Sequence, residues 1–231
     1  MVFVLVHGAG FGANCWDELL PHLTAQALAV DLPGRGSRGD VDVRAVTLAD
    51  CAEAVRVDVE AADLRDVVLV AHSFAGVVVP RVMAAIPDRI RHVVLVSAVV
   101  PPDGTRVLDQ IDPGVRDAVE QSIAGGVYHQ TREAAAAMLC NDMDDATAAV
   151  VLDRLVDEAA AVLREHVDIG GYAQPIPRTY VHLTRDQCYV EELQQRSIAI
   201  TGADVVDLDT GHMAMNSAPK DLAAVLASVH G

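Results

Sequence analysis

Basic side chains are scarce. Seventeen Lys and Arg stand against 33 Asp and Glu, a formal net charge of −16. Nucleic acid and anionic membrane surfaces both need a positive protein face, so this balance argues against either as a partner. Cysteine is scarce as well. Cys15, Cys51, Cys140 and Cys188 are far apart and form no C-x-x-C pair. A disulfide framework and a zinc site are therefore not expected, and reduced cytoplasmic thiols are. Asp142, Asp144 and Asp145 lie close together. They read as the acidic start of a helix, favoured by its dipole, so no metal and no other cofactor is expected. Long apolar runs are missing too. Val67–Ala71 and Val93–Val96 are strand-length, well short of a membrane span. Val2–Val6 has no basic flank and runs directly into a glycine-rich loop, unlike a secretory leader. No internal repeat and no low-complexity segment is visible.

What is present is a large apolar fraction. The 231 residues are 52% hydrophobic, enough for one sizeable core. Short β-branched runs at Val2–Val6, Ala27–Val30, Val67–Ala71, His92–Ser97, Thr179–Thr184 and Val205–Leu208 read as strands. They are nearly continuously apolar, as strands buried on both faces are. Helical spacing fills the intervals. One face carries Trp16, Leu19, Leu20 and Leu23, and further helices are expected over Thr47–Ala62, Phe74–Ile86, Val190–Ile200 and Pro219–Val229. Strand and helix in alternation predict a parallel, doubly wound α/β sheet. The alternation stops between Pro101 and Pro177. That stretch offers no convincing strand, and Val151, Leu155, Ala159 and Val162 fall on one helical face. It reads as a helical insertion.

Four features in chain order carry chemistry. Val67-Val68-Leu69-Val70-Ala71-His72-Ser73-Phe74-Ala75-Gly76 places a serine between a strand and a helix. A nucleophile elbow needs small residues two positions either side of the serine, because the turn is tight and strained. Strict G-x-S-x-G is absent, but Ala71 and Ala75 meet the steric requirement. The plain alternative is Ser73 as a helix N-cap. Leu5-Val6-His7-Gly8-Ala9-Gly10-Phe11-Gly12 is a strand running into a loop with three glycines. The N–H of Ala9 and that of Phe74 are candidate oxyanion donors. A dinucleotide loop is the rival, but the spacing is G-x-G-x-G rather than G-x-G-x-x-G. Asp209-Thr210-Gly211-His212-Met213 follows the last strand, where a histidine can reach Ser73. His7 and His72 are bound into loop and elbow, whereas His92, His129, His166, His182 and His230 carry no motif. Asp186 ends Thr179–Asp186 at the carboxyl end of the penultimate strand and is the candidate acid. Asp103 is the fallback. Ser73, Asp186 and His212 keep the order nucleophile, acid, base.

These motifs, with Asp31-Leu32-Pro33-Gly34-Arg35-Gly36, resemble the α/β-hydrolase superfamily, and within it the plant methyl esterase and hydroxynitrile lyase group with its bacterial relatives. The resemblance implies an α/β-hydrolase fold with about six parallel strands, starting at what that fold counts as its third strand. Residues 1–100 and 178–231 would form the core, and 101–177 a small helical cap inserted before the penultimate strand. It further implies a carboxylic ester hydrolase acting on a small, mainly apolar molecule. Gly8, Gly10, Phe11, His72, Tyr128 and Met213 would form the substrate pocket. The lyases of that group carry a Lys after the histidine and a Thr after the first loop histidine. Here Met213 and Gly8 stand there, which favours the esterase branch. A lyase, lactonase or cyclase acting on a natural-product intermediate, or a silent small-molecule receptor, remain alternatives, since fold alone does not fix function. A homodimer is left open.

Overall fold

A computed structural model describes residues 1–111 and 113–229, Val115 by its backbone alone. Asp112, expected in the insertion, and His230 and Gly231, expected in the core, lie outside the described residues. Six strands build one fully parallel sheet: β1 (Val2–Val6), β2 (Ala27–Val30), β3 (Val67–His72), β4 (Ile90–Val96), β7 (Arg178–Leu183) and β8 (Asp204–Leu208). Their spatial order is β2-β1-β3-β4-β7-β8, the α/β-hydrolase arrangement expected.

Strand alternation sends Val2, Val4 and Val6 of β1 to one face and Phe3 and Leu5 to the other. Both sets are buried, in two separate apolar clusters. The first is covered by α1 (Leu48–Ala61) and α2 (Val79–Ala85). The second takes Trp16, Leu19 and, further along the chain, α9 (Pro219–Ser228). α1 starts with a capping box in which Thr47 and Asp50 satisfy each other's backbone N–H. α7 (Glu191–Thr201) ends on Gly202 at φ +60°. The short α8 (Ala214–Ser217) follows the histidine loop.

Several expectations fail for identifiable reasons. The edge strands are not buried on both faces: β2 is half-buried, and Asp204, Val205 and Asp207 of β8 are exposed. The helix expected around Trp16 is two 3₁₀ turns, Ala13–Trp16 and Leu20–His22. Pro21 has no N–H to close an α-helical turn. Trp16 and Leu19 are nevertheless fully buried. The helix expected over Phe74–Ile86 is a 3₁₀ turn, Ser73–Val77, followed by α2. Pro80 cannot donate to the Gly76 carbonyl, which accepts the Tyr172 hydroxyl instead (2.7 Å).

The described residues of 101–177 add no strand to the main sheet. They hold α3 (Pro113–Ser122), α4 (Arg132–Leu139), α5 (Asp145–Asp153) and α6 (Ala161–Arg164), with a two-stranded antiparallel pair, β5 (Val127–Tyr128) and β6 (Glu158–Ala159). Val151, Leu155, Ala159 and Val162 therefore do not share one helix. The chain leaves helix after Asp153 because Val156 and Glu158 bind the β1 loop. Among the described residues, no helix is long and apolar enough to cross a membrane.

Candidate active site

Parallel strands bring their C-terminal ends to one edge of the sheet, where loops share a crevice. Ser73 follows β3 there, Asp186 follows β7 and His212 follows β8. Ser73 has φ +52°, a left-handed conformation that a side chain adopts only when its surroundings impose it. The surroundings are tight. Ala71 and Ala75 are fully buried, and the Ser73 carbonyl accepts the Val99 N–H (2.8 Å). A Cβ on Gly76 would lie 2.5 Å from the Val99 oxygen.

The structure brings the three expected side chains into one line. His212 Nε2 lies 3.0 Å from Ser73 Oγ, and His212 Nδ1 lies 2.6 Å from Asp186 Oδ2. Asp186 Oδ2 also accepts the Ser97 hydroxyl (2.6 Å), and Oδ1 accepts the N–H groups of Cys188 (2.7 Å) and Tyr189 (2.9 Å). Burial works against the Asp186 charge, but His212 and these donors outweigh it and hold the carboxyl below its ordinary value. Burial likewise pushes the His212 imidazole down, and the Asp186 carboxylate reverses this to well above 6.5. An ionised Asp186 keeps a proton on Nδ1, so neutral His212 presents a bare Nε2 to Ser73. Asp103 is elsewhere: its carboxylate accepts the Ile169 N–H (3.0 Å) in the insertion.

The glycine loop passes close over the elbow. A Cβ on Gly8 would lie 3.0 Å from both Ser73 Cβ and His72 Nδ1, so any larger residue would push the loop and the elbow apart by a few tenths of an ångström. His7 bridges the loop, with Nδ1 on the Gly8 carbonyl (2.8 Å) and Nε2 accepting the Leu32 N–H (3.2 Å). Burial and the Arg35 charge lower His7 to about 3, so it is neutral and donates from Nδ1. The Gly8 carbonyl and the Ala9 N–H belong to one planar peptide and point in opposite directions. Fixing the first aims the second. Phe74 is in the first turn of its 3₁₀ helix, where an N–H has no acceptor within the helix. His72 donates from Nε2 to the His212 carbonyl (2.9 Å), with its pKa pushed to about 3 by burial and by His212.

A cavity of about 100 Å³ opens between Ser73 and the insertion. Gly8, Ala9, Phe11 and His72 form its floor, and Tyr128, Gln130, Met138 and Leu139 cover it. Cys188 borders it beside His212. Gly10 and Met213 do not line it. Gly10 turns toward the insertion at φ +76°, and Met213 is buried in the apolar cluster of Leu5 and Trp16. Two larger depressions, about 610 and 220 Å³, lie beside Asp31 and Asp58 and beside Glu53 and Arg81, away from Ser73.

The model of the alpha/beta hydrolase family matches residues 3–225. The chain belongs to this family. Among individual members, a carbendazim hydrolyzing esterase of Nocardioides sp. (strain SG-4G) is 33% identical over 129 residues, 54% of this chain and 53% of that protein. Methylesterase 8 of Arabidopsis thaliana is 33% identical over 107 residues, 43% of this chain and 38% of that protein. The matches thus span about half or less of these curated relatives. An extracellular α/β-hydrolase of a Paenibacillus species, described as sharing structural and functional homology with tobacco salicylic acid binding protein 2, superposes with a TM-score of 0.88. It has 26% identity and covers 99% of this chain and 98% of that one.

Sequence reasoning about this family member missed several residues. Ser97, at the end of the strand beside β7, carried the signal of adjacency to Asp186. Cys188, expected only as a reduced thiol, borders the cavity. Asp142 was read with Asp144 as a helix start. Asp144 does cap α5, accepting the Thr147 N–H (2.8 Å), but Asp142 accepts the Thr210 hydroxyl (2.7 Å) and the Gly211 N–H (2.6 Å), tying the insertion to the His212 loop. Glu158 had no local signal.

Proposed function

We propose that the chain is a serine hydrolase cleaving carboxylic esters of small, mainly apolar substrates through an acyl-enzyme on Ser73. The observation that carries this is the contact of His212 Nε2 with Ser73 Oγ at 3.0 Å, beside a small cavity, with Asp186 behind the imidazole. Relatives named as esterases support it.

Ser73 Oγ attacks the ester carbonyl carbon and passes its proton to His212 Nε2. The N–H groups of Ala9 and Phe74 take the developing oxyanion. Collapse of the tetrahedral intermediate transfers that proton to the departing alkoxide and releases the alcohol. Water then gives a proton to His212 and attacks the acyl carbon, and the second collapse frees the acid and restores Ser73. Pockets for drug-sized ligands measure roughly 300–1,000 Å³. The cavity here is about 100 Å³ and largely apolar-walled by Phe11, Met138 and Leu139, so it takes an acyl group of a few heavy atoms.

Met213 is buried in the core and offers no cation to a departing cyanide, which disfavours cyanohydrin cleavage. Steady-state and burst kinetics on short-chain aryl and methyl esters test the proposal. Turnover abolished by Ser73→Ala is expected. A folded protein without burst or turnover on any of them overturns it.

A further inference from the structure

Ala9, the proposed oxyanion donor, lies between two anchored peptides. On one side His7 holds the Gly8 carbonyl. On the other side both polar groups of Gly10 are taken by the insertion. Its N–H donates to Glu158 Oε2 (3.1 Å), and its carbonyl accepts the Val156 N–H (2.9 Å). Glu158 is itself held from the core. Arg35 Nη1 reaches Oε2 (2.7 Å), Arg35 Nη2 reaches Oε1 (2.5 Å), and the Ala159 N–H also donates to Oε1 (2.8 Å). Both side chains of the Arg35–Glu158 pair are fully buried.

A buried ion pair of this kind is a poor device for stability alone, because desolvation offsets the Coulombic gain and apolar residues of similar volume often do as well. Here the guanidinium even leaves its Nε without a partner. What the pair does provide is a charged acceptor in a fixed place. The forked contact fixes the carboxylate plane, and the carboxylate fixes the Gly10 N–H.

Resting on the hydrolase reading above, we infer that Glu158, locked by Arg35, is a positioning residue through which the insertion aims the Ala9 N–H at the oxyanion. Seating of the insertion and assembly of the oxyanion hole are then one event. If the insertion lifts, Gly10 loses both its partners and the hole loosens. Glu158 does not line the cavity, so its effect falls on kcat and spares KM.

Two double variants separate this from a mere staple. Arg35→Met/Glu158→Met fills the space with apolar chains and leaves Gly10 without an acceptor. Arg35→Met/Glu158→Gln also removes the charges but keeps an amide oxygen for the Gly10 N–H. The first is expected to lose kcat by roughly 10- to 100-fold, less than the 10²–10³ of deleting a donor outright, with KM within about threefold. The second is expected to recover to within about threefold of the parent. Amide hydrogen exchange over residues 7–12 is expected to quicken in the first and not in the second. Equal kcat and equal exchange in the two would overturn the inference. Should the first fail to fold, Glu158→Asp replaces it, keeping the charge against Arg35 while withdrawing the carboxylate by one methylene. It is expected to show the same loss, and unchanged kcat and exchange would overturn the inference. If the parent itself turns over no ester, the hydrolase reading falls, and the exchange comparison still decides whether Glu158 fixes the loop.

Discussion

Replacing Asp186 by Asn exchanges one oxygen for an NH₂ group and should nearly stop the reaction. Asp186 Oδ1 accepts two backbone N–H groups, from Cys188 and Tyr189, so the amide oxygen of Asn settles there. The amide NH₂ then takes the place of Oδ2, which accepted His212 Nδ1 and Ser97 Oγ at 2.6 Å each. Two donors cannot face one another. His212 shifts its proton to Nε2 so that Nδ1 can accept, and Nε2 then carries a hydrogen toward Ser73 and cannot take one. Loss of the correct tautomer in a serine triad costs about 10⁴ in kcat, or roughly 5.5 kcal/mol at 1.36 kcal/mol per tenfold. Stopped-time hydrolysis of p-nitrophenyl acetate measures it, with Asp103→Asn as the comparison because that carboxylate accepts the Ile169 N–H in the insertion. Asp186→Asn within tenfold of the parent, or a larger loss in Asp103→Asn, would refute the assignment of the acid.

Other consequences follow from the same contacts. Protonated His212 cannot accept the Ser73 proton, and Asp186 raises its pKa, so kcat/KM should climb with pH through a midpoint above 6.5; a midpoint below 6 contradicts this. His7 and His72 are held near 3 in the fold against 6.5 unfolded, so the unfolded chain takes up protons that the fold refuses. Urea unfolding should therefore show stability falling as pH drops from 6.5 toward 4.5, by about 1.4 kcal/mol per unit for each group. His212, raised in the fold, has the opposite sign, but its contribution is complete below 6.5; a flat profile would rule the account out. Gly8→Ala puts a methyl 3.0 Å from Ser73 Cβ, which forces a shift of a few tenths of an ångström, and should lower kcat by less than the roughly 100-fold of a 1 Å misplacement, whereas Gly125→Ala, with open space around it, should leave kcat unchanged. Equal kinetics in the two would show that the loop does not approach the elbow closely.

The core was legible because its signals are local. Apolar runs gave the six strands within two residues, and strand ends gave Ser73, Asp186 and His212, since a parallel sheet gathers such ends at one edge. Helix boundaries failed where proline broke a periodic pattern, at Pro21 and Pro80, because apolar spacing reports which face is buried and not whether each N–H has an acceptor. The insertion failed more broadly. Leu155 and Ala159 looked helical by spacing, but Glu158 and Val156 are claimed by Gly10 more than 140 positions away, and no local pattern encodes so distant a partner. The pocket suffered from the same gap. Gly10 and Met213 neighbour site residues in sequence but turn away from the cavity, whereas Gln130, Met138 and Leu139 are brought to it only by the packing of the insertion, and Cys188 by the loop that carries Asp186.

The proposed hydrolysis requires Ser73 to be an activated nucleophile. Labelling with a fluorophosphonate, followed by peptide mass spectrometry, tests it directly. One label per chain is expected on the peptide carrying Ser73, and none in Ser73→Ala. A folded parent protein that resists the reagent, or that carries the label on another residue, would contradict it.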